Sequence, residues 1–265
     1  LDRHATVDAY AAAKGRIFEN QTNSDWAVIN ADDPVVLRLA HASRARRHLF
    51  SRRGLQGPGT TVEEGWVVCT SAAGRERLVP LSAVHLLGEH LVDDVLAAAT
   101  VGWLVGVSPD TMTTAVDGFR GLEHAMELVA EHEGVRFVND SKATNVDAAL
   151  QAIRSFDGGL VPIIGGRFKG GDLTLLREPL ARRARAVVVI GEAADLVAGA
   201  IAGAVPVHQA ASIGQAVSRA FELARPGGVV LLAPACASFD MFRDYAERGR
   251  RFKEEVARVT GQTMV

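Results

Sequence analysis

The second half of the chain alternates short apolar runs with helical stretches, and this alternation constrains the fold more than any other feature. The apolar runs lie at residues 135–138, 160–164, 186–190, 205–207 and 229–232. Such a pattern predicts a mostly parallel sheet covered by helices, in which binding sites form at the carboxyl ends of the strands. We therefore predict an α/β fold, with a Rossmann-like domain over residues 120–265.

Residues 1–119 have a different pattern and predict a separate α/β domain. Thr6 is placed to cap a helix that runs to about residue 20, and a strand at 26–29 precedes a helix that begins near Pro34. Short strands at 48–51, 65–70 and 78–81 suggest a small antiparallel patch. Helices are predicted at 88–105 and from Pro109 onward, and a linker at 118–121.

Charge and cysteine content favour small-molecule chemistry. A net charge of -2 argues against a nucleic-acid partner, which needs a basic surface. Cys69 and Cys236 are the only cysteines, too few for a disulfide framework, so we expect two core thiols in a reducing compartment. No apolar run reaches the roughly 18 residues of a membrane span. We expect a cytoplasmic protein that has no membrane or nucleic-acid partner.

The start of the chain reads as the middle of a domain. Leu1 is not Met, and a polar loop leads directly into a helix without a preceding strand. We expect the chain to be an incomplete fragment.

The segment at residues 139–145, Asn-Asp-Ser-Lys-Ala-Thr-Asn, carries the densest set of hydrogen-bonding groups. It follows an apolar strand and precedes a helix that starts near Val146, so free helix N–H groups and Lys142 favour an anion there. Asp140 can accept hydrogen bonds from hydroxyl groups such as those of a ribose. An Asx turn with a helix cap would explain Asn139 and Asp140 but not Lys142.

Two further polar loops follow predicted strands. Residues 165–172 contain four glycines, which let the backbone approach a ligand closely, and Lys169, which suggests a carboxylate or phosphate guest. This loop lacks the spacing of a dinucleotide fingerprint or a P-loop. In residues 234–242, Ser238 is placed to cap the next helix and to contact a carboxylate. Phe239 and Phe242 are three apart on that predicted helix, so at least one should pack in the core.

Together these loops, with Glu247-Arg248-Gly249, resemble the signatures of the D-glutamate-adding branch of the Mur ligase family. The first part of the chain resembles the central ATP-binding domain of this family, just after its metal-binding histidine. The positions that carry this resemblance are residues 1–4, Tyr10, Lys14 and residues 30–33. The resemblance covers essentially the whole chain. It implies a partial central ATPase-like domain over residues 1–119, followed by the Rossmann-like domain, which would bind amino acid and nucleotide.

The resemblance also implies a reaction. ATP would phosphorylate the carboxylate of UDP-N-acetylmuramoyl-L-alanine, and the amine of D-glutamate would attack the acyl phosphate to form an amide of the peptidoglycan precursor. Three anionic groups must then be held together, so cations and helix ends would offset their repulsion.

Site residues follow from the same resemblance. Lys14 would be carbamylated and would provide an oxygen ligand to Mg²⁺, although a solvated helix lysine is the alternative. Lys169 would be both catalytic and a D-glutamate ligand. Thr144, Ser238 and the backbone near Phe242 would also bind D-glutamate. The residues expected to face the nucleotide are Asp94, His124, Asp140 and Lys142.

The chain departs from the family pattern near the nucleotide. The family usually has Gly-x-His-Asn-x-x-Asn where this chain has residues 88–94, so Leu91 and Asp94 replace both amides. Asp94 could still accept from the adenine amino group. Where Gly-Leu-x-His-Arg is usual, Ala125 removes a cation. No Gly-Lys-Thr or Gly-Lys-Ser is present, so no P-loop cradles the phosphates and we expect no turnover by this chain alone.

Three alternatives remain open at this stage. A sibling ligase that adds another amino acid, or glutamate to a folate, would share fold and chemistry. A non-catalytic nucleotide- or amino-acid-binding module would fit the altered adenine positions. The alternating second half alone also suggests a nicotinamide-dependent dehydrogenase, but fold does not decide function.

Overall fold

The computed structural model describes residues 4, 6–88 and 90–261. Leu1, Asp2 and Arg3, which contribute to the family resemblance, lie outside the described residues, as does Glu89 of the 88–94 segment. The chain divides into two compact units, unit 1 (Leu1–Arg120) and unit 2 (Gly121–Val265).

The described residues of unit 1 form a five-stranded mixed sheet with four α-helices. Its strands are β1 (Trp26–Asn30), β2 (Arg46–Ser51), β3 (Gly59–Glu63), β4 (Trp66–Ser71) and β5 (Gly74–Pro80), in that spatial order. Its helices are α1 (Val7–Gly15), α2 (Pro34–Ala40), α3 (His90–Leu104) and α4 (Pro109–Gly118). The first three strands run parallel and the last three antiparallel, so the predicted antiparallel patch is confirmed only for β3 to β5.

Local chemistry explains where the helices of unit 1 begin. The hydroxyl of Thr6 accepts the N–H of Ala9, as predicted, and Asp33 caps α2 ahead of Pro34. The prediction that the first helix continues to about residue 20 was wrong. Helix α1 ends at Gly15, and a 3-10 turn at Arg16–Phe18 follows.

Unit 2 contains a six-stranded sheet. Its strands are β6 (Glu127–His132), β7 (Val135–Asn139), β8 (Leu160–Gly165), β9 (Val187–Ile190), β10 (Val207–Gln209) and β11 (Val229–Leu232). Its helices are α5 (Val146–Arg154), α6 (Arg177–Arg183), α7 (Ala194–Ala200), α8 (Ile213–Ala224) and α9 (Tyr245–Thr260). The spatial order is β10-β9-β8-β11-β7-β6, and only β6 is antiparallel to its neighbour. The α/β fold class and the Rossmann-like sheet are confirmed.

The central strands of unit 2 are buried on both faces, which explains their continuous apolar sequences. Every residue of β8, β9 and β11 is buried. One face packs against α8 and α9 through a cluster that includes Phe137, Phe221 and Phe252. Because β11 lies between β7 and β8, the loops that follow these three parallel strands leave the sheet side by side.

Both cysteines are buried and free, as expected. Burial raises the pKa of the Cys236 thiol to about 11, so this thiol stays protonated at neutral pH. Among the described residues, no helix is long and apolar enough to cross a membrane.

Candidate functional site

Backbone hydrogen bonds join the three loops that follow β7, β8 and β11. Ala235 N–H donates to the carbonyl of Ala143 over 3.0 Å, and Gly165 N–H donates to the carbonyl of Pro234 over 2.9 Å. Arg167 and Ala237 exchange two hydrogen bonds, of 2.8 and 2.9 Å. The loops therefore form one continuous edge, and we call it the ligand edge.

Two glycines allow the loop after β8 to lie this close to its neighbours. Gly165 has φ of +139°, and a Cβ atom there would lie 1.9 Å from the carbonyl oxygen of Ile190. At Gly166, a Cβ would lie 2.2 Å from the carbonyl oxygen of Ala237. Such distances exclude any side chain, so these two glycines serve backbone packing rather than approach to a ligand.

The loop after β7 contains the Asx turn considered for Asn139, while the cap of the next helix is Asn145 and not Asn139 or Asp140. Asn139 Oδ1 accepts the N–H of Ser141 over 3.2 Å, which is an Asx turn. Asn145 caps α5 by accepting the N–H of Ala148 over 2.9 Å. Lys142 lies exposed between them. The structural and the ligand-binding interpretations of this segment are therefore compatible.

Asp140 is a buried carboxyl group on the ligand edge. It is 8% exposed, and its Oδ1 accepts the N–H of Met126 over 3.2 Å. Burial raises the pKa of Asp140 to about 6, although the Met126 N–H and the charge of Lys142 act in the opposite direction. Near neutral pH the carboxylate is mostly ionised and can accept hydrogen bonds.

His124 lies beneath this edge and is held by Asn139. It is 3% exposed, and Asn139 Nδ2 donates to its Nδ1 over 2.9 Å, which places the ring proton on Nε2. Burial lowers the pKa of His124, partly offset by Glu123, so the ring is neutral at pH 7. The sequence analysis expected His124 to face a nucleotide, and the structure shows a buried ring that contacts the loop after β7 instead of solvent.

A network of charged side chains fixes Asn139 from the other side. Glu127 Oε2 accepts from Asn139 Nδ2 over 3.0 Å and from the N–H of His124 over 3.0 Å. Lys253 of α9 donates to Glu127 over 3.1 Å and to Glu123 over 2.6 Å. The amide of Asn139 is thus engaged within the protein and serves to shape the loop.

Arg248 and Gly249 of α9 contact the loops of the ligand edge and the His124 beneath it, which the sequence did not reveal. Arg248 is 1% exposed and donates to Ser141 and to the carbonyl oxygen of Cys236. A Cβ on Gly249 would lie 2.3 Å from Nδ1 of His124, so glycine is needed for the helix to approach that ring. Both residues belong to the Glu-Arg-Gly motif noted in the sequence.

The prediction that Ser238 caps the last helix was wrong. Residues 238–242 form a separate turn, in which the N–H of Phe242 donates to the carbonyl of Ser238 over 2.8 Å. Helix α9 begins later, and Asp244 caps it by accepting the N–H of Glu247 over 2.7 Å. Phe239 and Phe242 consequently do not share a helix. Phe242 packs against the core, as predicted for at least one of them.

Lys169 and Phe239 bring the loops after β8 and β11 together at the surface. Lys169 is exposed, and its Nζ lies 5.5 Å from the centre of the Phe239 ring. Phe239 is itself 56% exposed. An ammonium group at this distance from an aromatic face makes a cation–π contact.

The predicted site residues are divided between the two units. Those on or beneath the ligand edge of unit 2 are His124, Asp140, Lys142, Thr144, Lys169, Ser238 and Phe242. Unit 1 carries Lys14, exposed in the last turn of α1 with its Nζ 5.5 Å from the ring centre of Tyr10, and Asp94, exposed on α3. Among the described residues, no group of three His, Cys, Asp or Glu side chains could hold a metal ion.

Two family models match the chain. The Mur ligase middle domain matches residues 1–102, and the glutamate ligase domain of the Mur ligases matches residues 125–236. UDP-N-acetylmuramoylalanine--D-glutamate ligase from Solibacter usitatus is 46% identical over 256 residues, which are 97% of this chain and 57% of that protein. The protein of the same name from Koribacter versatilis is 43% identical over 262 residues, 99% of this chain and 58% of the relative. The chain thus spans less than two thirds of the length of these relatives.

Solved structures share the fold at low identity. A pseudomurein peptide ligase type C from Methanothermus fervidus has a TM-score of 0.71 at 14% identity, over 97% of this chain and 61% of that one. The folylpolyglutamate synthase of Mycobacterium tuberculosis complexed with ADP has a TM-score of 0.66 at 18% identity, over 96% and 60% of the two chains.

Proposed function

The chain belongs to the Mur ligase family, and we propose that it serves an ATP-dependent ligase that joins D-glutamate to UDP-N-acetylmuramoyl-L-alanine in peptidoglycan precursor synthesis. The observation that carries this proposal is the ligand edge, on which a buried acid, two exposed lysines and two hydroxyl groups come from three hydrogen-bonded loops. A small dicarboxylate and a nucleotide need this combination of groups. The 43–46% identity to D-glutamate ligases favours this substrate over that of a sibling ligase.

D-glutamate would bind through Lys169, Thr144 and Ser238. Lys169 provides a cation for a carboxylate, and the two hydroxyls can donate to carboxylate oxygens. Neither hydroxyl makes a hydrogen bond to any of the described residues, so each remains available to donate. The N–H of Phe242 is engaged by Ser238, so a carboxylate would have to replace that hydrogen bond.

The nucleotide would bind on the Asp140 side of the edge. Asp140 would accept hydrogen bonds from the ribose hydroxyls, and Lys142 would attract the phosphates. His124 would act from beneath through its contact with Asn139. Asp94, which belongs to unit 1, would accept from the adenine amino group, whereas Leu91 supplies no amide there. Ala125 of unit 2 supplies no cation where the family usually has an arginine.

Mg²⁺ would bind near Lys14. The exposed amine of Lys14 is open to carbamylation, which would replace an ammonium group with an anionic oxygen ligand. One carboxylate-like group from the protein, completed by phosphate oxygens and water, is a common arrangement for Mg²⁺. When bound, the ion would neutralise phosphate charge.

The proposed chemistry is acyl transfer through an acyl phosphate, and the residues act mainly by position and charge. Lys169 and Lys142 would reduce the repulsion between D-glutamate and the phosphates. We place this reaction in the cytoplasm, with which two buried free thiols are consistent. A non-catalytic binding module remains the second candidate, because the positions of Leu91 and Ala125 weaken the expected nucleotide contacts.

The test replaces each of the two lysines by alanine. We expect Lys169→Ala to weaken D-glutamate binding about ten- to a hundredfold, as for loss of a charge-assisted hydrogen bond, and ATP binding less than about threefold. We expect the reverse from Lys142→Ala. Calorimetric titration of the 265-residue chain with D-glutamate, L-glutamate and ATP measures both affinities. The proposal is wrong if wild type binds neither D-glutamate nor ATP, or if both lysine variants bind as wild type does.

The module alternative needs a different measurement. Release of phosphate dependent on D-glutamate and UDP-N-acetylmuramoyl-L-alanine, by a protein that carries this chain together with a P-loop, would establish catalysis. Binding without turnover in such a protein would favour the module.

A further inference from the structure

Arg248 is a buried cation on which Asp240 acts electrostatically, but without a salt bridge between them among the described residues. It is 1% exposed, and it forms no ion pair with any carboxylate in the part of the chain that the structure describes. Burial lowers the pKa of its guanidinium to about 10, which leaves it charged at neutral pH. A buried charge is costly unless hydrogen bonds satisfy it, so its partners must be well fixed.

Those partners belong to two different loops of the ligand edge. Arg248 Nε donates to Ser141 Oγ over 3.0 Å, and one terminal nitrogen donates to the carbonyl oxygen of Ser141 over 2.8 Å. The other terminal nitrogen donates to the carbonyl oxygen of Cys236 over 3.1 Å. Ser141 Oγ in turn donates to the carbonyl oxygen of Tyr245, at the start of α9, over 2.7 Å. The side chain of Arg248 thus ties both loops to one helix.

The hydrogen-bond partners of Arg248 are next to the residues that are proposed to bind the two ligands. Ser141 stands between Asp140 and Lys142, the residues assigned to the nucleotide, and Cys236 stands two residues before Ser238, assigned to D-glutamate. If one loop moved away, the guanidinium N–H groups that donate to it would lose their acceptors inside a buried environment, which is costly. The two loops should therefore be ordered together.

We propose that Arg248 is a positioning residue that couples nucleotide binding at the loop after β7 to D-glutamate binding at the loop after β11. This inference rests on the proposed function. A ligand that orders one loop leaves less ordering for the second ligand to bring about, which makes binding cooperative in both directions. Arg248 contacts neither ligand in this account and acts through Ser141 and Cys236.

The experiment measures cooperativity rather than affinity alone. The D-glutamate dissociation constant of the 265-residue chain is determined by calorimetry with and without saturating ADP, and the ratio is the coupling factor. We expect a factor of about tenfold in wild type, within the usual range for coupled sites. Arg248→Met should reduce the factor to near one, and Arg248→Lys should restore part of it, because a lysine can still donate to one loop or the other.

Two further variants separate coupling from loss of fold. Ser141→Ala removes one acceptor and keeps both carbonyl partners, so it should fold, with its thermal midpoint checked, and give an intermediate factor. Arg251→Met, on the exposed side of the same helix, removes a surface pair with Glu254 and should leave the factor unchanged. An unchanged factor in folded Arg248→Met or Ser141→Ala would overturn this inference alone. Absence of both D-glutamate and nucleotide binding in wild type would overturn the proposed function as well.

Discussion

The Nζ atom of Lys169 lies 5.5 Å from the centre of the Phe239 ring, and the two residues come from loops about 70 positions apart in the sequence. Lys169 has a long, flexible side chain at an exposed position. An aromatic face restricts where its ammonium group can lie. Phe239 therefore orients a cation that the proposed reaction uses, whereas the sequence predicted only that at least one of Phe239 and Phe242 packs in the core.

Replacing Phe239 by leucine tests this orientation. We expect Phe239→Leu to weaken D-glutamate binding about two- to fivefold, the range of an exposed cation–π contact, and to leave ATP binding unchanged. Phe239→Tyr should bind as wild type, because it keeps an aromatic face. Leu196→Ala is the matched control, since Leu196 is also exposed, at 53%, and lies on α7. Equal D-glutamate affinities for the leucine and tyrosine variants would contradict the assignment.

Asp140 should make stability depend on pH. Its pKa is raised from 3.8 to about 6 in the folded protein, so between these values the folded state binds more protons than the unfolded state. The contribution of Asp140 to stability is therefore greatest in its protonated form and decreases as the pH rises through about 6. From pH 5 to pH 7.5 the free energy of unfolding should fall by about 1 kcal/mol relative to Asp140→Asn.

Urea unfolding of wild type and Asp140→Asn at both pH values measures this difference. Asparagine retains an oxygen that can accept the N–H of Met126, so the comparison isolates the ionisable proton. A constant difference between the two proteins at pH 5 and pH 7.5 would show that Asp140 titrates normally.

A side chain at Gly249 should destabilise the protein. The Cβ of an alanine would lie 2.3 Å from Nδ1 of the buried His124, so helix or ring would have to shift. We expect Gly249→Ala to lower the free energy of unfolding by about 1–3 kcal/mol, as for other overpacked cores. Gly199→Ala is the control, because Gly199 also lies in a helix but has no atom within 4 Å of a Cβ. That variant should gain about 0.5–1 kcal/mol, and chemical denaturation of both proteins decides the matter.

The sheet of unit 2 was largely predictable, because its central strands are buried on both faces and read as uninterrupted apolar runs. Each of the five predicted runs overlaps a strand. The run at residues 205–207 was displaced, since β10 begins at Val207, after Pro206, which has no N–H to donate to the ladder. Strand β6 was missed because it is a half-exposed edge strand rich in charged residues.

The site was predictable only where local sequence determines it. The Asx turn at Asn139 follows from neighbouring residues, and so does the prediction that a helix starts near Val146, although its cap is Asn145 and not the residues named for it. The burial of Arg248 could not be predicted, since an arginine in a helix with several charged neighbours is normally solvated. Ser238 misled for a related reason: it had the right residue type for a cap, but a turn intervenes before Asp244. The burial of Arg248 and the conformation of the Ser238 loop both depend on contacts with residues that are distant in the sequence.

The tie between Ser141 and Arg248 spans 107 positions, and this separation bears on how the protein is made. The loop after β7 is synthesised 107 residues before the guanidinium that holds it, so a nascent chain has that loop for some time without its tie to α9. A protein that stops short of α9 would retain the sequences of all six strands of the unit 2 sheet but would leave both loops without this tie.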